Sequence, residues 1–479
     1  MEAHKNIRSS VLWALLESVV SLASALAVAV IVARLISPNA FGIAAIASFI
    51  GILAETFIIT TFCEALIRRR RLQNGTVDIA HTSTLILSLG IYGLVCIAAF
   101  VAAHAYSAPI LLPLILAQGT SCLFLGLRCT SEAVLSNQLQ FKTLSIRSIC
   151  AKSAGAAVSI YIAYQGGGAW SIVIGNVAFS AIATALVLTT VPRRPKLRMD
   201  LRVTRRLFSY GRFSLLDAVL WTATPRLFGF QVAYFQGLDA VGFLNFAFRI
   251  NDTVCALLGA ISTRMALPLL SRYTHDEQQF RYAFQQGTKF VFLLAAPVFI
   301  GLALTSNDLV RLLVGPEWEP AGIALAAAAI YSLFNFARLM VQPAIKAVGK
   351  PSKLVLLHTI GLLYVSLASV VAAPFGLEGQ LAAWCLFGPV YFAASVYVLH
   401  SAVPIPLSYQ LSPLVGASVG AGVMASVLLA AQAGWPDAPP IAFLVVQIVM
   451  GALIYTSMLF VLERRSLMQI LGREEARRL

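Results

Sequence analysis

Apolar runs of about 20 residues, each long enough to carry a helix across a hydrocarbon core of about 30 Å, recur from residue 11 to residue 462, cut only by short polar breaks. No water inside a bilayer satisfies free backbone groups, so such runs fold as helices. Composition agrees: 11% of residues are charged and 59% are hydrophobic, whereas a soluble domain carries roughly a quarter charged residues. The spacing predicts an all-α membrane protein with about 14 transmembrane helices, the first over 11–36 and the last over 441–462. The first run follows His4, Lys5 and Arg8 in the manner of a signal peptide. Its apolar stretch is too long for one and is broken by Glu17, so it reads as a retained span.

Lysine and arginine outnumber the acids 35 to 20, giving a net charge of +15, and their placement is uneven. Alternate breaks collect Arg68, Arg69, Arg70, Arg71, Lys142, Arg147, the run over 193–212, Arg272, Arg281, Lys289, Lys346, Lys350, Lys353 and the tail arginines Arg464 to Arg478. The opposite breaks carry only Arg311. By the positive-inside rule both termini are cytoplasmic. The excess charge is a signal of topology and of anionic membrane lipids as neighbours, not of nucleic acid, because the basic run over 193–212 joins two hydrophobic halves. The seven cysteines lie almost entirely in apolar spans without metal-ligand spacing and read as small hydrophobes.

The chain repeats itself. Ala40-Phe41-Gly42 between the first two spans answers Ala240-Val241-Gly242, an offset of 200, and at the same offset Glu17 meets Asp217. Gly166-Gly167-Gly168-Ala169-Trp170 has a weaker echo in Gly376, Gly379 and Trp384. Six helices separate the copies, so both begin on the same side and the repeats are parallel. The expected organisation is an N-terminal six-helix bundle (1–191), a basic cytoplasmic linker (192–212), a second six-helix bundle (213–402), two additional transmembrane helices (413–462) and a cytoplasmic tail (463–479). Two such bundles form a transporter plan with substrate bound between the halves.

The residues Ala33-Arg34-Leu35-Ile36-Ser37-Pro38 with Phe41-Gly42, Ala65-Leu66-Ile67-Arg68, Gly168-Ala169-Trp170-Ser171, Val241-Gly242-Phe243 with Ala247-Phe248-Arg249, Pro268-Leu269-Leu270-Ser271-Arg272, and Leu312-Leu313-Val314-Gly315 with Trp318 follow one another in a specific order. In that order the chain resembles the Wzx-type polysaccharide transporters, oligosaccharide flippases of the multidrug/oligosaccharidyl-lipid/polysaccharide exporter superfamily. Thr60-Thr61-Phe62-Cys63-Glu64 and Pro225-Arg226 depart from the family pattern. The resemblance implies a multi-pass protein of the bacterial inner membrane that moves an undecaprenyl-diphosphate-linked oligosaccharide to the outer leaflet. It also implies work alongside polysaccharide polymerase and export machinery.

Ionisable residues inside a membrane are functional candidates by default. Counting about 1.5 Å per residue puts Arg226 roughly 20 Å above the cytoplasmic start of its span and Arg249 roughly 12 Å below the outer start of the next, a shared depth. Guanidinium binds phosphate bidentately and stays charged when desolvated, so these two suit a diphosphate clamp. Arg338 lies deep among mixed surroundings, while Lys152 and Arg128 lie nearer the cytoplasmic ends of their spans, where they would meet an entering diphosphate or simply anchor the helices. Arg249 also stands three residues from Asp252, an ordinary intrahelical pairing. Arg34 and Arg264 sit at span ends, positioned to snorkel. Among the acids, Glu17 and Glu55 share a depth of roughly 9 Å, and with Asp217 and Asp252 they are coupling or cavity candidates or local counter-ions.

No Gly-rich loop ending in Gly-Lys-Ser/Thr, no His-Glu-x-x-His and no Asp-x-Asp is present, so neither a cofactor nor a metal is called for and no covalent chemistry is expected. Two other functions stay open. A cation-coupled drug antiporter of the same superfamily would carry dense acidic and aromatic content in its cavity, whereas the intramembrane charge here favours arginine and lysine. A membrane glycan polymerase or ligase would carry a sizeable outward catalytic loop, and the longest outer segment, 306–320, is short.

Overall fold

The computed structural model describes residues 2–67, 72–138, 140–191, 193, 195–403, 405–435 and 440–462, with side chains for all of these except 2–16, 210–213, 260–269 and 440. Arg68 to Arg71 and the tail arginines lie outside the described residues, as do the side chains of Arg212 and Arg264.

Every regular element among the described residues is helical. They run α1 (Glu2–Leu35), α2 (Pro38–Ile58), α3 (Glu64–Ile67), α4 (Asn74–Ala105), α5 (Leu111–Asn137), α6 (Phe141–Tyr164), α7 (Trp170–Thr190), α8 (Leu201–Gln236), α9 (Leu238–Arg272) and α10 (Glu277–Leu304). There follow α11 (Ser306–Val314), α12 (Glu319–Ala337), α13 (Val341–Ala347), α14 (Ser352–Ala372), α15 (Gly376–Ala402), α16 (Leu407–Gly434) and α17 (Pro440–Leu462). Eleven stretches are long and apolar enough to cross a membrane, and one, Ser352–Ala402, contains both α14 and α15. The charged helices α6 and α8 are not among the eleven, so about 14 crossings remain compatible with the fold.

The chain packs as two units, Met1–Arg249 with Ser369–Leu377, and Ile250–Ala368 with Glu378–Leu479. In the first, α1 lies on α6, α6 on α7, and α2 bridges α5 and α8. Local chemistry sets the helix starts. Ser37 caps α2, its hydroxyl accepting from the Ala40 N–H at 3.3 Å, with Pro38 in the first turn. Asp200 caps α8 by accepting from the N–H groups of Arg202 and Val203. Gly237, at φ +91°, makes the turn from α8 into α9.

Between α2 and α3 the five residues Ile59–Cys63 form a π-helical turn. The Thr60 hydroxyl donates to the Thr56 carbonyl at 2.7 Å, one turn back along the helix. This turn carries Cys63 to 6.3 Å (Cα to Cα) from Cys129 on α5, and the two form a disulfide. The reading of all seven cysteines as hydrophobes is therefore corrected for this pair: their separation of 66 residues leaves no local trace of the contact. Cys96, Cys122, Cys150, Cys255 and Cys385 are free thiols.

In the second unit, α10 packs on α12 and α16, and α17 on α16. Phe292, Leu293, Ala296, Ala421, Met424 and Tyr455 form its core, with the Tyr455 hydroxyl donating to the Leu293 carbonyl at 2.9 Å. The two C-terminal helices are thus bound into this unit through α10. Elsewhere in it the Phe387 ring stacks on Tyr331, Tyr364 and Tyr391 at 5.2, 5.6 and 4.9 Å.

Candidate functional site

The repeat noted in the sequence is a physical contact within the first unit. Asn39 donates to the Asp239 carboxylate at 3.2 Å across the starts of α2 and α9. Gly42 and Gly242 face one another. A Cβ on Gly42 would lie 1.8 Å from the Leu238 carbonyl oxygen, and one on Gly242 would lie 2.1 Å from that of Pro38. The two helix starts therefore touch backbone to backbone, and positions 200 apart exchange equivalent contacts. Only glycine permits this approach.

Beside this contact lies a cavity of about 290 Å³, walled by α1, α6 and α7, with Phe41 and Arg249 also on its lining. Its wall is formed where Gly155 and Gly175 bring α6 and α7 together; a Cβ on Gly155 would lie 2.8 Å from the Gly175 carbonyl oxygen. Lys152 lines it and donates to the Ser21 hydroxyl at 2.8 Å. Arg249 lines it with its guanidinium over the Phe41 ring at 5.4 Å, while its Nε donates to Asn245 at 3.1 Å. Ser24, Ser159 and Asn176 add neutral polar groups, and Asn176 is oriented by a 3.3 Å bond to the buried Gln118. Among the described residues the lining contains two cations and no carboxylate. Such a site favours an anion with several acceptor oxygens.

Arg128 stands just behind the wall, its guanidinium 5.6 Å from the ring centroid of Phe179, which itself lines the cavity. It is held by Glu132 at 2.6 Å, one helical turn on. Glu17 accepts from the Ser145 hydroxyl at 2.9 Å and acts electrostatically on Lys152, and Glu55 is similarly within range of Arg128. Three sequence-proposed cations and two acids thus gather around one cavity.

The other candidates lie elsewhere. Arg226 is half-buried on α8 and donates to the Thr222 carbonyl at 3.3 Å, without lining the cavity. Asp217 is buried on the same helix. Asp252 is exposed in the second unit. Arg338, also in the second unit, is buried, donating to Asn335 at 2.8 Å and lying 4.1 Å from the Tyr391 ring centroid. Arg34 is exposed at the end of α1. Sequence reasoning missed Phe41, Phe179, Ser21 and Asn176, whose share in the site depends on which helix faces turn inward.

The family model described as "Polysaccharide biosynthesis protein" matches residues 31–322, a range that includes the cavity's Phe41, Lys152, Phe179 and Arg249. The chain belongs to this family. Among its relatives is the lipopolysaccharide biosynthesis protein WzxC of Escherichia coli (strain K12), 22% identical over 325 residues that cover 67% of this chain and 65% of WzxC. The chain thus aligns with slightly under two thirds of WzxC's length. Another is the succinoglycan biosynthesis transport protein ExoT of Rhizobium meliloti (strain 1021), 22% identical over 357 residues, covering 72% of this chain and 71% of ExoT. The fold matches that of the lipid II flippase MurJ in an inward closed conformation, with a TM-score of 0.78, 15% identity and coverage of 95% of this chain and 99% of that one. The resemblance seen in the sequence motifs is borne out, and the all-helical membrane architecture of this polysaccharide biosynthesis family member with it.

Proposed function

We propose that this protein is a flippase that carries an undecaprenyl-diphosphate-linked oligosaccharide from the cytoplasmic to the outer leaflet of the bacterial inner membrane by alternating access, in the synthesis of a surface polysaccharide such as O-antigen, capsule or exopolysaccharide. The observation that carries the reading is the cavity beside α6, with Lys152 and Arg249 on its wall and no carboxylate among its described lining. At about 290 Å³ it admits a small anionic headgroup and not a glycan, so the diphosphate is the part it grips and the sugars extend beyond it. WzxC is a lipopolysaccharide biosynthesis protein, ExoT a succinoglycan biosynthesis transport protein and MurJ a lipid II flippase, and these likenesses support this choice of cargo.

With both termini cytoplasmic, the Gly42–Gly242 contact closes the outer end of the first unit, and Lys152 and Arg128 lie toward the inner leaflet. Charged headgroups need such a wet, cationic route because unpaired charge is costly in hydrocarbon. Outward movement of the diphosphate across an inside-negative membrane gains about 2.3 kcal/mol per charge per 100 mV. A polymerase and export machinery then consume the delivered unit. Deleting the gene in its host tests the reading: lipid-linked oligosaccharide should accumulate on the cytoplasmic leaflet. Accumulation of unpolymerised units on the outer leaflet would instead indicate a polymerase.

A further inference from the structure

At the joined ends of α5 and α6, one carboxylate stands among two guanidinium groups. Arg147 is buried, 6% exposed, and its Nε, Nη1 and Nη2 have no hydrogen-bond acceptor among the described residues. A guanidinium carries five N–H donors, accepts nothing and keeps its charge, so burying it without a partner is unfavourable. The carboxylate whose charge acts on it is Glu132, on a helix that packs against α6. Glu132 lies five residues before the end of α5 and Arg147 six residues after the start of α6. At the helical rise both stand about 8–9 Å from the adjoining ends of α5 and α6. Glu132 is nonetheless engaged by Arg128, at 2.6 Å. Arg128 is the cation that packs on Phe179 in the cavity wall.

We propose that Glu132 is an exchangeable counter-ion, and that Arg147 is the positioning residue that receives it when an anion takes Arg128. In the present state Glu132 neutralises the cation beside the cavity. A diphosphate arriving at Lys152 and Arg128 displaces it, and a carboxylate displaced into this half-buried setting would otherwise be left unpaired. Arg147 supplies the second partner, at the same depth on the adjoining helix. The exchange moves no proton and forms no covalent bond. It rests on the diphosphate reading of the cavity, and it gives Arg147 a role in substrate loading without direct contact with the substrate.

The test is equilibrium binding of undecaprenyl diphosphate to the full chain in nanodiscs, with uncharged undecaprenol as reference. Arg147→Gln should weaken diphosphate binding about tenfold, and Glu132→Gln, which frees Arg128, should bind at least as tightly as the unaltered protein. In the Glu132→Gln background, Arg147→Gln should change binding less than twofold. Equal loss from Arg147→Gln in both backgrounds, or no loss in either, would overturn the exchange. Should Arg147→Gln fail to fold, Arg147→Lys keeps the charge and should retain binding within about threefold, and a tenfold loss there would also overturn it. Lys152→Ala separates the two ideas. If it weakens binding while Arg147→Gln does not, only the exchange fails; if the unaltered chain does not distinguish the diphosphate from undecaprenol, the cavity reading fails and the exchange with it.

Discussion

Lys152 and Arg249 approach the same cavity in different ways, and their chemistry predicts different losses. Lys152 presents a compact charge on a flexible stem, steadied by Ser21. Arg249 presents a planar fork already oriented by Phe41 and Asn245. Lysine at 249 would keep the charge and lose the orientation, so Arg249→Lys should lower transport about tenfold, and Arg249→Ala more, with membrane insertion unchanged. Rates of lipid-linked oligosaccharide flipping, normalised to inserted protein, check this. Arg338 is bonded to Asn335 and packed on Tyr391. Its replacement by Met should lower stability by about 2 kcal/mol in a thermal scan while transport per folded molecule stays within twofold. Asp217 is buried on α8, and Asp217→Asn should alter the pH profile of transport if it couples to protons; an unaltered profile would give it a structural role. The sequence marks each of these as ionisable groups at membrane depth. It gives Lys152 and Arg338 different depths but does not separate their roles, which depend on what their helix faces meet.

At the scale of helices, the 200-residue repeat gains a meaning the sequence only hinted at. Its glycines read there as markers of equivalence, whereas Gly42 and Gly242 are each other's packing surface. A methyl group at either position must push the starts of α2 and α9 apart, so Gly42→Ala and Gly242→Ala should each disfavour this close packing of the two helix starts. Cysteines placed at Asn39 and Asp239, in a background lacking the native cysteines, should cross-link readily in the parent and several-fold less in the Gly42→Ala variant. Undiminished cross-linking would show that the helices accommodate the methyl without separating. The π-helical turn at Ile59–Cys63 shows the opposite case. Thr60 to Cys63 departed from the family pattern in sequence, yet nothing in its composition signalled the extra residue in the turn or the bond to Cys129. Helix existence was legible because apolar length dictates it, while turns within helices depend on neighbours distant along the chain.

For the whole molecule, the basic excess and the long apolar runs set the class of protein before any motif is considered, and the family membership gives that class its biological setting. Neither could locate the proposed anion site, a space walled by α1, α6 and α7 with Phe41 and Arg249 also on its lining. The central claim is that this space grips a diphosphate while the glycan it carries crosses the membrane. Its most direct measurement is flipping of an undecaprenyl-diphosphate-linked oligosaccharide in proteoliposomes, read as the fraction of cargo reaching the opposite leaflet. The unaltered protein should move the cargo, and the Lys152→Ala/Arg249→Ala double variant, reconstituted at the same density, should fall to the protein-free background. Flipping by the double variant at the rate of the unaltered protein would contradict the account.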